Sequence, residues 1–228
     1  MEKLITVFGD SIARGVMTDG NKRYFGTSAA EIYAKKHGVN IDNRSVYGQS
    51  LKRLREKNEL ERYYSAKTEN EKVCVIELGG NDADFYWQDV AKNPKGEHCS
   101  KTTPEEFFSM YSATLKALKE KCERVYVCTL VPVISRRYFD NVISKISDGE
   151  KVLEFFNGDV TTIYRHQEMM NEAVLCAAFE NRTKIIDVRK SFLQSLDLNS
   201  LMCFDGIHPN EKGQCLIAKA CEKSVAVC

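Results

Sequence analysis

The sequence lacks a charge excess of either sign. Its 228 residues include 33 Lys and Arg against 32 Asp and Glu. A nucleic-acid partner is disfavoured because phosphate neutralisation requires a clear basic excess. The same balance argues against binding to an anionic membrane surface, and it fits a neutral substrate better than a polyanion.

Paired cysteine motifs and long apolar runs are also missing. The nine cysteines are odd in number and include no Cys-x-x-Cys pair, so neither a disulfide framework nor a zinc ribbon is indicated. Most are expected to be small buried side chains in a reducing compartment. No apolar run reaches the roughly 18 residues of a membrane span, and the first ten residues do not resemble a signal peptide. A cytoplasmic location is predicted.

What the sequence contains is an alternation of apolar, β-branched stretches with helix-like segments, which predicts parallel strands joined by helical crossovers. The predicted strands are residues 4–8, 40–43 with a ragged continuation to 46, 73–78, 125–131 and 184–188. The predicted helices are residues 28–36, 51–66, 105–121, 163–180 and 211–224. No repeat or linker divides the chain, so one domain over residues 1–228 is expected. The charged residues within 52–62 favour a solvated helix face with local ion pairs over an anion site.

Two stretches are longer than this alternation needs. Residues 84–101 and 135–160 each follow the carboxyl end of a predicted strand, and Gly, Asp and Asn interrupt their aromatic residues. Ligands bind at that edge of open α/β sheets, so both stretches are candidate pocket walls. The alternative is that they are packed surface loops. Their aromatic residues are Tyr86, Trp87, Tyr138, Phe155 and Phe156.

A serine follows the first predicted strand. The segment Gly9-Asp10-Ser11 places Ser11 just past the strand end, where side chains reach the ligand-binding edge. Serine attacks a carbonyl only when a base takes its proton and a third group orients that base. Considered alone, Ser11 could equally cap a helical turn.

A carboxylate and an imidazole stand before the last predicted helix. Asp205 precedes His208 by three residues, and a turn there lets Asp205 accept the Nδ1 proton of His208, which leaves Nε2 free for the serine proton. The alternatives are a plain loop before the helix and half of a metal site, which would need further ligands. The other three histidines have no comparable acidic partner and are expected at the surface. They are His37, His98 and His166.

Acyl transfer also requires donors for an oxyanion. Gly48 follows the second predicted strand, and its exposed N–H could be approached without a Cβ in the way. Asn81 follows the third, in Gly79-Gly80-Asn81-Asp82, and its amide NH₂ is an uncharged donor. Either segment could instead be an ordinary turn. Asp10 and Asp82 are expected to brace their turns rather than to react.

In this order and strand context, these four segments resemble those of the SGNH hydrolase superfamily, also called the GDSL lipase/esterase family. The resemblance extends from residue 9 to residue 209. It implies a three-layer, flavodoxin-like α/β/α sandwich with a five-stranded parallel sheet. It also implies ester hydrolysis of a small-molecule substrate without a metal or organic cofactor.

The resemblance implies roles for individual residues as well. Ser11 corresponds to the nucleophile, and Asp205 with His208 to the rest of the triad. The N–H groups of Ser11 and Gly48 and the side chain of Asn81 correspond to the oxyanion hole. Residue 12 departs from the family name, since Ile12 stands where leucine is usual, which conserves bulk.

Three alternatives remain beside a serine esterase for a small or carbohydrate-linked ester. A lysophospholipase or thioesterase would use the same triad. A non-catalytic binding module on a flavodoxin-like scaffold is a different class, although the chain has neither a P-loop nor a Gly-x-Gly-x-x-Gly segment after a strand. The third alternative makes Cys203 the nucleophile, against its more usual role as a buried structural thiol.

Overall fold

The computed structural model describes residues 4–20, 22–65 and 72–225. Its strands are β1 (Leu4–Gly9), β2 (Val16–Asp19), β3 (Lys22–Phe25), β4 (Asn40–Asn43), β5 (Lys72–Glu77), β6 (Arg124–Cys128) and β7 (Lys184–Ile186). Its helices are α1 (Ala29–His37), α2 (Leu51–Glu56), α3 (Glu59–Ser65), α4 (Trp87–Lys92), α5 (Pro104–Lys121), α6 (Ser135–Tyr138), α7 (Ser144–Ile146), α8 (Gly149–Phe155), α9 (Thr162–Glu180), α10 (Val188–Leu193) and α11 (Glu211–Ser224). A π-helical turn at Phe139–Ile143 joins α6 to α7, and a 3₁₀ turn lies at Leu198–Leu201.

Five strands form one parallel sheet in the order β4-β1-β5-β6-β7. Counted along the chain, this order is 2-1-3-4-5, the flavodoxin-like arrangement. The predicted α/β fold with a five-stranded parallel sheet is therefore confirmed. Because all five strands run in one direction, the loops after β1, β4 and β5 meet at one edge of the sheet.

Alternating side chains explain the three layers. Val73 and Val75 on β5 pack on the side of α1, α10 and α11, whereas Cys74 and Ile76 pack on the side of α2, α3, α5 and α9. Successive side chains of a strand point to opposite faces, so a strand buried on both sides is apolar throughout. This is why the strands are continuous apolar runs in the sequence.

Several predicted boundaries are wrong. The predicted helix at 51–66 is split into α2 and α3, because Asn58 adopts a left-handed backbone with φ of 52°; position 66 lies outside the described residues. The last predicted strand ends at Ile186, because Asp187 caps α10 by accepting the N–H of Lys190. The hairpin of β2 and β3 was not predicted, since every residue of β3 is exposed and leaves no apolar alternation to detect.

The two long stretches contain more helix than expected. Residues 84–101 contain α4, and residues 135–160 consist largely of α6, the π-helical turn, α7 and α8. Asp148 starts α8 by accepting two backbone N–H groups. The two stretches share an apolar cluster that includes Phe85, Trp87, Phe139 and Phe156. They are therefore packed against each other rather than independent loops.

Cysteine burial departs in part from expectation. Of the eight cysteines within the described residues, all are free, four are buried, Cys221 is partly buried and three are exposed. The ninth, at position 228, lies outside the described residues. Among the described helices, none is long and apolar enough to cross a membrane.

Candidate active site

Three predicted residues form a continuous hydrogen-bonded chain. The Nε2 atom of His208 lies 2.8 Å from Oγ of Ser11, and its Nδ1 atom lies 2.6 Å from Oδ2 of Asp205. Ser11 follows β1, whereas the other two residues precede α11, and all three are buried. The fold thus joins positions 197 residues apart.

The loop that carries Asp205 is shaped to hold a charged carboxylate. Its Oδ1 atom accepts the backbone N–H groups of Ile207 and His208, each at 3.0 Å. Burial acts to raise the pKa of Asp205, but the hydrogen bonds from His208 and the backbone outweigh it and lower the pKa below its usual value. Gly206 allows this turn, since its φ is +75° and an added Cβ would come within 2.8 Å of the Ile134 carbonyl oxygen.

The opposite side of Ser11 contains Asn81. Its Nδ2 atom donates to Oδ2 of Asp10 at 3.0 Å and to the carbonyl oxygen of Gln49 at 3.1 Å. An amide nitrogen has two hydrogens, so both are engaged. The structure therefore brings Asn81 to the site with its donors already occupied.

Gly48 lies in the turn that borders this side. The ring of the preceding residue, Tyr47, stacks 6.4 Å from that of His208, and the following residue supplies the carbonyl that accepts from Asn81. Gly48 has a φ of +67°, and the nearest atom to its Cβ position is Nη1 of Arg53 at 4.0 Å, so glycine is needed for the backbone conformation rather than for room. Within the described residues, the backbone N–H groups of Gly48 and Ser11 have no hydrogen-bond acceptor.

A buried carboxylate that was not predicted from the sequence, Glu77, lies beneath the loop that carries Ser11. Glu77 ends β5 opposite Gly9 of β1, and its Oε2 atom accepts the N–H of Asp10 at 3.4 Å. Burial, together with the charge of Asp10, raises the pKa of Glu77 well above its usual value. Burial also raises the pKa of Asp10, to about 6. In the sequence, Glu77 is a charged residue near the end of the apolar run 73–78, and this could have indicated a buried acid at the site.

Asp10 and Asp82 do brace the loops, as expected. Asp10 accepts the N–H of Ile12 at 2.7 Å within its own turn. Asp82 reaches further: its carboxylate accepts the N–H of Leu51 at 2.9 Å and the hydroxyl of Thr102 at 3.2 Å. It therefore connects the loop after β5 to the start of α2 and to the segment before α5.

A cavity of about 100 Å³ opens beside Ser11 and His208. Its lining residues come from both long stretches and from α9, among other segments. The apolar and aromatic lining residues include Phe85, Trp87, Val133, Tyr138, Ile163 and Ile207. Such a lining suits an uncharged acyl group.

Asp84 forms hydrogen bonds to an aromatic residue of each long stretch. Its Oδ1 atom accepts the indole N–H of Trp87 at 2.8 Å and the hydroxyl of Tyr138 at 2.9 Å. Its Oδ2 atom accepts from Nζ of Lys101 at 2.7 Å. Burial, followed by the nearby Asp84 charge, raises the pKa of Tyr138 well above its usual value, so this hydroxyl stays protonated and donates. No local pattern predicts the contact between Asp84 and Tyr138, because the two residues lie 54 positions apart.

Only some of the predicted aromatic residues reach the cavity. Trp87 and Tyr138 line it, whereas Tyr86 is exposed and Phe156 packs behind Trp87. Phe155 contacts Phe85 at 6.0 Å between ring centroids.

The three histidines other than His208 have different surroundings. His166, expected at the surface, is half-buried and lines the cavity. It shares a helical face of α9 with Ile163 and Met170, a spacing that could have predicted its position. His37 stacks on Tyr33, and Nε2 of His98 lies 2.8 Å from a backbone carbonyl oxygen.

Cys203 is held as a structural thiol. Its Sγ atom accepts the N–H of Thr18 at 3.4 Å, which fastens the β2–β3 hairpin to the loop before Asp205. Burial raises its pKa above the usual thiol value. This is the reverse of what a thiolate nucleophile needs. No group of three or more His, Cys, Asp or Glu side chains in the described part of the chain is arranged to hold a metal ion.

The chain is similar to a known protein family. The family profile described as "GDSL-like Lipase/Acylhydrolase" matches residues 5–221. Among curated proteins, none matches the chain.

Solved structures show the same fold at low sequence identity. A lipolytic protein of the G-D-S-L family from Veillonella parvula is 17% identical, with a TM-score of 0.66 over 99% of this chain and 100% of the other. A lipase/acylhydrolase from Enterococcus faecalis is 15% identical, with a TM-score of 0.65 and coverage of 97% and 94%. An acetylxylan esterase from Geobacillus stearothermophilus is 16% identical, with a TM-score of 0.65 and coverage of 97% and 93%.

Proposed function

Since the chain belongs to the GDSL-like lipase/acylhydrolase family and is an ester-hydrolysing enzyme, we propose that it cleaves a small or carbohydrate-linked carboxylic ester through an acyl-serine intermediate. The observation that supports this most directly is the 2.8 Å contact between Oγ of Ser11 and Nε2 of His208. It is the contact through which an imidazole can take the proton of an attacking hydroxyl.

In the proposed first step, Oγ of Ser11 attacks the ester carbonyl carbon while its proton moves to Nε2 of His208. The carbonyl π electrons move to the oxygen and form an oxyanion. When the tetrahedral intermediate collapses, the bond to the alcohol oxygen breaks, and His208 donates its proton to that oxygen. The products of this half-reaction are the free alcohol and an acyl-Ser11 ester.

The second half-reaction reverses these roles with water. His208 takes a proton from water as its oxygen attacks the acyl carbon, and it then returns a proton to Oγ of Ser11, which releases the acid. The lowered pKa of Asp205 supports its proposed role, because a carboxylate that stays charged stabilises the imidazolium formed in each step.

The backbone N–H groups of Ser11 and Gly48 are the proposed primary donors to the oxyanion. Asn81 is the proposed third donor. Because both of its amide hydrogens are engaged in the resting site, the oxyanion must share or displace one of the acceptors.

The cavity supports a short acyl group. Its volume of about 100 Å³ is well below the roughly 300–1,000 Å³ of pockets that enclose drug-sized ligands, so a long fatty chain does not fit inside it. The likeness to an acetylxylan esterase supports a carbohydrate as one candidate alcohol.

A cytoplasmic location is supported by the eight free cysteines among the described residues, three of them exposed, since oxidising compartments favour disulfides.

The test is hydrolysis of p-nitrophenyl acetate by the purified chain. Wild type is expected to hydrolyse this ester, and Ser11→Ala to lower kcat/KM by on the order of 10⁴-fold or more. Ser109→Ala, on the exposed face of α5, is the matched control and is expected to keep wild-type activity. A folded Ser11→Ala protein within about tenfold of wild type would contradict the proposal.

A further inference from the structure

A groove of about 510 Å³ lies close to the active site and is lined largely by basic side chains. Four of its lining residues are cationic, and one is acidic, Glu56. The cationic residues are Lys52, Arg53, Lys57 and Lys101. The near-neutral net charge of the chain therefore conceals a local positive excess.

Two connections place this groove beside the catalytic residues. On one side, Nη1 of Arg53 lies 4.0 Å from the Cβ position of Gly48, the proposed oxyanion donor. On the other side, Lys101 bonds to Asp84, which lines the cavity at Ser11. Tyr86, exposed in the groove, is flanked in sequence by two residues that line that cavity. One ligand can therefore extend from the cavity into the groove.

Two of the four basic residues of the groove lack the local ion pairs expected from the sequence. Lys101 pairs with Asp84 at 2.7 Å, and Lys52 has only a long contact of 3.9 Å with Glu106. Arg53 and Lys57 have no ion-pair partner among residues 4–20, 22–65 and 72–225. They are four positions apart, where like charges on a helix repel each other. The break at Asn58 also removes the acidic residues of α3 from the face of α2.

We propose that this groove binds an anionic group, a carboxylate or a phosphate, on the alcohol portion of the ester. The proposal rests on the proposed esterase function and narrows its substrate class. An apolar cavity at Ser11 receives the acyl group, so an anion in the groove belongs to the other half of the ester. The planar guanidinium group of Arg53 can donate two parallel hydrogen bonds to a carboxylate or phosphate, and the lysines add positive charge.

The physical effect is selective recognition of the charged substrate. An anion in a concave basic groove gains attraction from several cations at once, more than one exposed ion pair provides. The gain weakens with added salt, because the Debye length falls from about 10 Å at 0.1 M to about 3 Å at 1 M. The effect should appear mainly in KM, since the groove does not contact the reacting carbonyl carbon.

The experiment compares esters that differ in one charge. The acetyl esters of 4-hydroxybenzoate and of 4-hydroxyphenyl phosphate are the anionic substrates, and the acetyl ester of 4-hydroxybenzamide is the neutral one. The readout is the ratio of kcat/KM for anionic over neutral ester at low salt. We expect a wild-type ratio of about ten for at least one anion. The double variant Arg53→Gln with Lys57→Gln should bring that ratio close to one through a higher KM.

The matched control removes two positive charges from the helices on the other face of the sheet, with Lys190→Gln and Lys219→Gln on α10 and α11. It should keep the wild-type ratio, and 0.5 M NaCl should lower the wild-type ratio towards one. The proposal is overturned if both anionic esters give a wild-type ratio near one, or if the groove variant leaves the ratio unchanged. Loss of the proposed function is distinguishable, because then the neutral ester would not be hydrolysed in a Ser11-dependent manner.

Discussion

The two sides of Ser11 differ in how ready they are for chemistry. On the side of His208, each hydrogen bond of the proposed proton path is already formed, at 2.8 and 2.6 Å. On the side of Asn81, the amide hydrogens are held by Asp10 and Gln49. The proposed base is thus arranged before substrate binds, whereas the proposed oxyanion donor Asn81 must exchange a partner.

The carboxylates on the two sides differ in the same way. Asp205 receives three hydrogen bonds, which outweigh burial and lower its pKa. Asp10 and Glu77 are buried next to each other, and burial raises the pKa of both. Burial is the largest influence on the pKa of all three acids, and only at Asp205 do the hydrogen bonds outweigh it.

The largest loss of activity should follow from a change on the His208 side of Ser11, where the hydrogen bonds are already formed. In Asp205→Asn, the side-chain NH₂ would donate to Nδ1 of His208 and leave the proton on Nε2, the atom that must accept from Ser11. We expect kcat for p-nitrophenyl acetate to fall by about 10³–10⁴-fold with the fold retained. A fall of less than about tenfold would show that Asp205 does not fix the tautomer.

The next largest effect should come from Asn81→Ala. Loss of one oxyanion donor lowers kcat by about 10²–10³-fold, whereas KM should change little. Steady-state kinetics with p-nitrophenyl acetate measures both constants, and Asn199→Ala, at an exposed position, is the control. If kcat stays within about threefold of wild type, Asn81 keeps its resting bonds throughout the reaction, and the two N–H groups stabilise the oxyanion alone.

The buried acids Asp10 and Glu77 should have a smaller effect, which appears in how the free energy of unfolding depends on pH. Because burial raises the pKa of Asp10 from 3.8 to about 6, the folded state binds a proton that the unfolded chain releases. This contribution is complete below the unfolded pKa and is lost as pH rises through about 6. The raised pKa of Glu77 acts in the same direction. Wild type should therefore lose stability from these groups between pH 4 and pH 7.

Glu77→Gln tests this linkage. The substitution removes a group whose pKa is raised well above its usual value in the folded state, so the free energy of unfolding of the variant should rise relative to wild type, by on the order of 2 kcal/mol between pH 4.5 and pH 7.5. Urea unfolding at several pH values measures it. Glu120→Gln, an exposed change on α5, should show no such trend. A difference independent of pH would mean that Glu77 does not have a raised pKa in the folded protein.

The smallest effect is expected at Cys203. Its thiol contacts the Thr18 N–H and is not part of the hydrogen-bonded chain from Ser11 to Asp205, so Cys203→Ser should keep kcat/KM within about twofold. A loss comparable to that of Ser11→Ala would instead indicate a cysteine nucleophile.

The side of the site formed by Ser11, His208 and Asp205 was the easier one to predict from the sequence. Asp205 and His208 are three residues apart, and Ser11 follows a strand whose apolar run is unmistakable, so local pattern and sheet direction suffice. The contact of Glu77 with Asp10 depends on which strands become neighbours, here β1 and β5. An alternating pattern shows which residues face inward, but it does not specify strand order.

The cavity and the groove were less predictable for related reasons. Asp84 meets Tyr138 only because the two long stretches pack on each other. The basic groove arises because α2 ends at Glu56 and the left-handed Asn58 turns the chain. Helical periodicity alone predicted one continuous helix there, with its charges paired.

The account depends most on Ser11 being activated by His208, and labelling with a fluorophosphonate followed by peptide mass spectrometry tests this directly. The reagent forms a covalent phosphonyl ester with an activated serine and releases fluoride. We predict a single adduct on the Ser11 peptide of wild type, at least 100-fold slower to form in His208→Ala, consistent with the loss of a general base. An adduct on Cys203, or labelling of Ser11 at the wild-type rate in His208→Ala, would contradict it.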